Sequence, residues 1–264
     1  MYKTPFYAVV LAAALLPLAH AFDESPAQPE RLLPAGEGRQ RALPEHFAVL
    51  AKPAWDDALA PVPVLTHQLI AASRIGDLDR VKELFAAGAS PNSADALGER
   101  PLLVAVAGEH VELVRQLLER GASPNVKGPK GLTPLGMAAA AGNPAMVRLL
   151  LKAGAMVDER SDNRATALHE AIRFEHPGVV KLLLAGGPDM ARQDHEGLPP
   201  LALAAALGRL ACLNILIEAG VDLDLPDRTG LTALYWARRY DQGLAEAMLL
   251  EHGASREAWP IAPD

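Results

Sequence analysis

The chain has 264 residues, of which 50% are hydrophobic and 22% are charged, and its formal net charge is −7. This acidity argues against non-specific binding to nucleic acid or to an anionic membrane. Cys212 is the one cysteine of the chain, so an internal disulfide is excluded. It lies among Leu213, Leu216 and Ile217, and we therefore expect a small buried residue rather than a reactive thiol.

The first 21 residues have the pattern of a secretory signal peptide. Lys3 precedes an apolar run from Phe6 to Leu18, and the small-x-small sequence Ala19–His20–Ala21 follows. The run is shorter than the roughly 20 residues that span a membrane. We predict cleavage after Ala21, with an uncleaved anchor as the alternative. The alanine-rich style of the segment indicates a bacterial protein exported to the periplasm, and no cysteine follows the run to carry a lipid anchor.

Residues 22–63 differ in composition from the rest of the chain. They contain seven prolines, so long regular elements are not expected there. The sequence predicts a flexible leader over residues 22–42. Residues 43–60 are more apolar, with Phe47 and Trp55 among them, and we expect one or two short helices that cap the following array. A partner-binding motif in this segment is the alternative. Residues 257–264 form a short C-terminal tail.

From residue 64 to residue 256 the chain repeats every 33 residues without insertion or deletion. A period of this length predicts a solenoid in which each unit buries its apolar face against its neighbours. We predict six units, with the constant positions in the core. The constant glycines are Gly88, Gly121, Gly154, Gly187, Gly220 and Gly253; the alanines are Ala72, Ala105, Ala138, Ala171, Ala204 and Ala237; the leucines are Leu69, Leu102, Leu135, Leu168, Leu201 and Leu234, then Leu84, Leu117, Leu150, Leu183, Leu216 and Leu249.

Each unit has the apolar spacing of helices. Met146, Val147 and Leu150 lie on one helical face, and Gly154 supplies the left-handed conformation that ends a helix at little steric cost. Thr133 is a suitable N-cap for the other helix of the unit. Proline follows it at the first helical position, where its missing N–H costs no hydrogen bond. The predicted fold class is therefore all-α with almost no sheet.

The fuller motif resembles the ankyrin repeat. It is carried by Thr133–Pro134–Leu135, by Thr166–Ala167–Leu168–His169–Glu170–Ala171 and by Thr232–Ala233–Leu234, each followed by an apolar helix. The resemblance implies an ankyrin solenoid whose 33-residue unit is a β-turn or hairpin, called a finger below, followed by two antiparallel helices. It also implies that His169 ties neighbouring turns together.

One finger departs from the pattern. Arg164 stands where the other fingers carry glycine, so we expect a different turn at residues 161–165. The glycines at this phase are Gly98, Gly131, Gly197 and Gly230.

No pattern in the chain predicts catalysis. His169–Glu170 is not followed by a second histidine at the spacing of the zinc proteases, because that position is Arg173. The sequence has no cysteine cluster, phosphate-binding glycine loop or aspartate-rich calcium loop. We therefore expect no enzyme activity, no cofactor and no metal.

Positions that vary between repeats are not needed for the core, so they are the candidates for contact with a partner. The resemblance implies that they lie on the fingers and on the concave side of the first helices. Phe174, Leu207 and Tyr240 share one phase and predict an apolar ridge, with Arg173 and Arg239 beside it. Aromatic residues and arginine are frequent interface anchors. The alternative is that this phase packs between adjacent first helices. The candidates on the fingers are Leu97, Glu99, Lys130, Asp162, Asn163, His195 and Arg228.

A group of basic residues on successive fingers is a second candidate surface for an acidic partner. Acidic residues are interleaved with it, which favours a solvated surface of mixed charge. The basic residues are Lys127, Lys130, Arg160, Arg164 and Arg192, and the acidic ones are Asp158, Glu159, Asp162 and Asp194.

The expected function is binding of another protein, with no nucleic acid, no membrane insertion after signal cleavage and no oligomer. The resemblance to exported bacterial ankyrin proteins implies two roles. One is an immunity protein that neutralises a secreted toxin, such as a phospholipase. The other is a scaffold or protective factor for an envelope enzyme, of the kind linked to peroxide resistance.

Overall fold

A computed structural model describes residues 62–256 of the chain, with side chains from residue 64 onward. The signal peptide, the leader, its proposed capping helices and the tail from residue 257 lie outside this range. Residues 62–256 form twelve α-helices in six pairs, and no strand occurs among them. The helices are α1 (Val62–Ile75), α2 (Leu78–Ala86), α3 (Pro101–Ala107), α4 (Val111–Glu119), α5 (Pro134–Ala140), α6 (Pro144–Lys152), α7 (Ala167–Arg173), α8 (Pro177–Leu184), α9 (Pro200–Ala206), α10 (Leu210–Glu218), α11 (Ala233–Arg239) and α12 (Gly243–Glu251).

The odd-numbered helices form one layer of the stack and the even-numbered helices form the other. A short turn joins the two helices of each pair, which makes them antiparallel neighbours. At every step along the stack, adjacent odd-numbered helices pack against each other more extensively than the even-numbered helices do. A stack with one tighter layer curves toward that layer. The odd-numbered helices therefore line the concave side.

The core contains the alanine and leucine positions that the sequence keeps constant. Ala105, Ala171 and Ala204 of the alanine phase are fully buried on odd-numbered helices. Leu117 and Leu150, from the second leucine phase, are fully buried on even-numbered helices. Because alanine has no side-chain atom beyond Cβ, the odd-numbered helices can pass close to one another. The prediction that the constant phases form the core is confirmed for the alanines and leucines. It is wrong for the constant glycines, which are exposed at the ends of the even-numbered helices.

The glycine that follows each even-numbered helix has the predicted left-handed backbone. The φ angles of these glycines run from 67° at Gly187 to 95° at Gly253. Such angles strain any residue with a Cβ. The regular spacing of these glycines thus marks where each helix pair ends.

The expected departure at the third finger is wrong. Arg164 has a φ of 59°, in the same left-handed region as Gly98 at 77°. Its N–H donates to the Ser161 carbonyl oxygen at 2.8 Å, as the Gly98 N–H donates to the Asp95 carbonyl oxygen at 3.0 Å. The hydrogen bonds of the turn therefore hold an arginine in a conformation that costs a residue with a Cβ about 1–2 kcal/mol.

Replacing Arg164 by glycine should therefore stabilise the protein by about 1 kcal/mol, because glycine adopts this backbone without strain. Urea unfolding of the variant measures the change. Arg228→Gly is the matched control, since it removes the same side chain from a finger position that does not have a positive φ. The control should be neutral or destabilising. Equal effects of the two substitutions would contradict a strained backbone at Arg164.

The turns within the helix pairs alternate along the stack, a feature that the sequence prediction missed. Their left-handed residue is Gly76, Gly142 or Gly208 in one set of pairs and Glu109, Glu175 or Asp241 in the other. A Cβ at Gly142 would lie 2.4 Å from Nδ1 of His176 in the next pair. The His176 ring occupies this space, with Nε2 at 3.0 Å from the Ala140 carbonyl oxygen.

The glutamates of the second set bond to the following pair. Glu109 accepts a hydrogen bond from the Asn143 side chain at 3.2 Å, and Glu175 pairs with Arg209 at 3.1 Å. At Gly76 and Gly142 the glycine faces a histidine of the next pair, and at Gly208 it faces Gln242. These glycine contacts alternate with the carboxylate contacts of Glu109 and Glu175. Correspondingly, α5 packs more extensively against α7 than against α3. The solenoid thus has a structural period of two repeats.

The contact between Gly142 and His176 can be tested with two glycines that share a positive φ. Gly142→Ala and Gly154→Ala should each cost about 1–2 kcal/mol for the left-handed backbone. Gly142→Ala should cost about 1–3 kcal/mol more, because its Cβ overpacks the His176 ring, whereas no atom lies within 4 Å of a Cβ at Gly154. Chemical denaturation measures both. If His176→Ala does not remove the additional cost in the double variant, the ring is not its cause.

Candidate functional site

Five fingers connect the helix pairs, at residues 95–98, 128–131, 161–164, 194–197 and 227–230. In each finger the N–H of the fourth residue donates to the carbonyl oxygen of the first. Where the first residue is aspartate, its Oδ1 also accepts two backbone N–H groups, as Asp194 does from Glu196 at 3.0 Å and from Leu198 at 3.1 Å. The carboxylate therefore replaces backbone partners that a short turn cannot supply.

Asp194 is fully buried, so its assignment to a solvated mixed surface is wrong. The finger backbone encloses its Oδ1, and Oδ2 accepts a hydrogen bond from Arg173 at 3.0 Å. Arg173 lies at the end of α7, so this ion pair ties the concave helix to the following finger. The equivalent arginine of the first pair, Arg74, reaches the next finger through Glu99.

Asp227, the first residue of the fifth finger, accepts hydrogen bonds in the same way as Asp194. Its Oδ1 accepts from the Thr229 backbone N–H at 2.7 Å, and its Oδ2 accepts from the Trp236 indole at 2.8 Å. Burial raises the pKa of this carboxyl, but the hydrogen bonds outweigh burial and leave the pKa below its usual value. The fifth finger is therefore tied to α11.

His169 links two fingers through the protein interior. Its Nε2 lies 3.1 Å from the Leu198 carbonyl oxygen, and its Nδ1 lies 2.8 Å from the Thr166 hydroxyl. A carbonyl oxygen only accepts, so Nε2 carries the proton and Nδ1 accepts. Burial lowers the pKa of His169 despite the nearby charge of Asp194. The implied role of His169 in tying the turns together is confirmed.

The neutral His169 predicts a stability that falls in mild acid. The unfolded chain protonates this histidine near pH 6.5, whereas the native ring stays neutral to lower pH. The free energy of unfolding should therefore decrease as the pH falls below about 6.5, by at most about 1.4 kcal/mol per pH unit from this group. Thermal unfolding at pH 7.5 and 5.5 measures the loss. His169→Gln should show a smaller loss over the same range, and an equal loss would contradict the assignment.

The predicted apolar ridge is partly exposed on the concave side. Phe174, Leu207 and Tyr240 each directly follow an odd-numbered helix. Leu207 is 39% exposed and Tyr240 is 53% exposed, whereas Phe174 is half-buried. Tyr240 stacks on Trp236 with ring centroids 5.9 Å apart. The exposed fractions leave surface for a partner at two of the three positions.

Ile75 shares the phase of the ridge and is 72% exposed, although the sequence prediction did not include it. Counting back three repeats from Phe174 would have found it. The two intervening repeats have Gly108 and Ala141 at this phase. Large side chains therefore occupy it in the first repeat and in the last three. Arg239 is exposed beside Tyr240, whereas Arg173 is half-buried in its ion pair with Asp194.

The finger candidates are exposed with one exception. Glu99 is half-buried, and its carboxylate pairs with Arg74. In the basic group, Lys127 pairs with Glu159 at 2.6 Å and Arg192 pairs with Asp189 at 3.1 Å. These ion pairs fit a surface of mixed charge. The exposed candidates are Leu97, Lys130, Asp162, Asn163, His195 and Arg228.

Glu170 is a candidate that the sequence prediction did not include. It is half-buried on α7, at the phase of Met137 on α5 and Leu203 on α9, which are both buried. Burial raises the pKa of Glu170, as does the charge of Asp194, and Arg173 and His195 offset only part of this. The signal was present in the sequence, because Glu170 is the one charged residue at its phase in the six repeats.

Three further observations concern the cysteine, metal binding and membrane spanning. Cys212 is buried, and burial raises its pKa to about 11, so the thiolate is scarce at neutral pH. Residues 62–256 contain no group of histidine, cysteine and acidic side chains that could hold a metal ion. Within the same range, every helix is too short or too polar to cross a bilayer.

Comparison with known proteins agrees with this architecture. The family model described as "Ankyrin repeats (3 copies)" matches residues 69–161, 114–194 and 168–257. No curated protein sequence matches the chain. Among solved structures, the chain is similar to the ankyrin repeat domain of Bcl-3, described as a unique member of the IkappaB protein family, with 28% identity over 71% of this chain and 86% of that chain and a TM-score of 0.67. In all, 566 solved chains match, so the architecture alone does not select a function.

Proposed function

Since the chain belongs to the ankyrin-repeat family, whose repeats generally mediate protein–protein interaction, we propose that it binds another protein on the concave side and finger tips of the stack. Members of the family are typically binding modules without enzyme activity. The surface proposed for binding comprises the apolar ridge, the exposed Arg239 beside it and the finger tips. Phe174, Leu207 and Tyr240 form that ridge.

The exposure of Leu207 and Tyr240 at equivalent positions is the observation that carries the proposal. Single exposed apolar residues are ordinary on protein surfaces. These two differ because they recur at one phase on one side of a curved stack, so a single partner can contact both. Tyr240 also has a neighbour, Trp236, that fixes its ring, which lowers the entropy lost when a partner binds.

We further propose that the protein works in the bacterial periplasm. The signal-peptide pattern of residues 1–21 supports export. The state of Cys212 is compatible with an oxidising compartment, because a buried thiol of high pKa reacts slowly with oxidants.

The specific role that we propose is that of an immunity protein, which covers the active site of a secreted toxin such as a phospholipase. A concave surface built without insertions between the repeats suits this task, because a rigid surface loses little entropy on binding. A scaffold or protective factor for an envelope enzyme would use the same surface. The two roles differ in outcome: an immunity protein abolishes the partner's activity, and a scaffold preserves it.

The experiment is affinity capture from periplasmic extract with the mature protein, followed by titration calorimetry with the captured partner. Tyr240→Ala and Leu207→Ala should each weaken binding by about 1–3 kcal/mol, the usual cost of truncating an interface anchor. Arg239→Ala should also weaken it. Arg173→Ala is less informative, because it also leaves the buried Asp194 without its cation.

Leu244→Ala is the matched control, since Leu244 is 72% exposed on α12, in the layer away from the concave side. It should bind as tightly as the unaltered protein. Normal binding by both ridge variants would show that the ridge is not the interface. Inhibition of the captured partner's activity would distinguish the immunity role from the scaffold role.

A further inference from the structure

Glu170 places a carboxylate at a repeat phase that carries no other charged residue, on a helix of the concave layer. The neighbouring odd-numbered helices present Met137 and Leu203 at the same phase, and both are buried. Arg173, one helical turn further along α7, donates to Asp194 at 3.0 Å, which places this part of α7 beside the fourth finger. Glu170 therefore lies where the concave helix layer meets that finger, and it is only half-exposed to water.

No side chain of the described residues neutralises this carboxylate by direct contact. Arg173, one helical turn further along α7, is engaged by Asp194 at 3.0 Å. His195 lies 3.7 Å from Glu196 instead. Within residues 64–256, no donor makes a hydrogen bond to the Glu170 carboxylate, and its pKa is raised chiefly because burial disfavours the charge. An unpaired and partly dehydrated charge is unfavourable unless a binding partner compensates it.

We propose that Glu170 determines specificity by receiving the guanidinium group of an arginine from the bound protein. Guanidinium donates two parallel N–H bonds to a carboxylate. It is also less strongly hydrated than an ammonium group, which suits a site between Met137 and Leu203. The inference rests on the proposed function, because the partner must lie against the concave side. The inference adds to the proposed function that the partner presents an arginine to Glu170.

The first test needs no partner. The ¹³C signal of the Glu170 carboxyl, assigned by its absence in Glu170→Gln, is followed by pH titration of the mature protein. The titration is repeated in ethylguanidinium chloride below its denaturing range, in ethylammonium chloride and in sodium chloride at equal ionic strength. The pKa of Glu170 should fall most in ethylguanidinium, because a bound cation favours the ionised carboxylate. Glu112, which is exposed on α4, is the internal reference and should respond equally to the three salts.

Two results would overturn the proposal: the same pKa of Glu170 in ethylguanidinium and in sodium chloride, or an equal fall in ethylammonium. In addition, Glu170→Gln should raise the Tm at pH 7, since it removes an unfavourable charge from the native state. An unchanged or lower Tm would contradict the unpaired carboxylate on which the inference depends.

The second test uses the captured partner. Glu170→Gln should weaken its binding roughly 10- to 100-fold, the usual cost of losing a hydrogen bond to a charged group, and Glu112→Gln should not change it. If Tyr240→Ala weakens binding and Glu170→Gln does not, the concave surface is the interface and the arginine contact is wrong. If neither weakens binding, the proposed function fails with it.

Discussion

The close approach of the odd-numbered helices is the constraint on which the other features depend. The alanine phase allows it, because Ala105, Ala171 and Ala204 leave no side chain between neighbouring helices beyond Cβ. The even-numbered helices carry larger buried residues and pack less extensively against one another. The stack therefore curves, and the residues that follow each odd-numbered helix come to lie on one concave side. The position of the candidate surface is thus a consequence of core packing.

The polar groups that stabilise the junction of the fourth finger with α7 lie beside the carboxylate that we propose for recognition. Asp194 is buried by the finger backbone and holds Arg173, so this arginine already serves the fold. Glu170, one turn away, has no cation in direct contact, and burial raises its pKa. The arginine that fixes the finger is therefore not paired with the Glu170 carboxylate. A substitution at Arg173 removes the ion pair to the finger and also changes the charge near Glu170. A substitution at Glu170 leaves the ion pair intact.

The sequence was a good guide wherever a backbone conformation or a repeated apolar position decided the outcome. The constant alanines and leucines are buried in the core, and the glycines after the even-numbered helices have positive φ angles. It was a poorer guide at Arg164, because turn hydrogen bonds can impose a left-handed backbone on a residue other than glycine. The alternation of Gly76 with Glu109 is visible in the sequence. Its structural role is not, because it depends on the ring of His110, which occupies the space beside Gly76.

By itself, the sequence determined the helices, their 33-residue period and the residues that end them, because these follow from spacing along a single unit. Only the tertiary structure decided which polar groups are paired. Arg173 and Asp194 are 21 residues apart and His176 reaches a carbonyl 36 residues away, so their contacts form only when successive units stack. The same stacking buries Asp194, exposes Tyr240 and leaves Glu170 unpaired. Neighbouring units create these environments, and the spacing within one unit does not encode them.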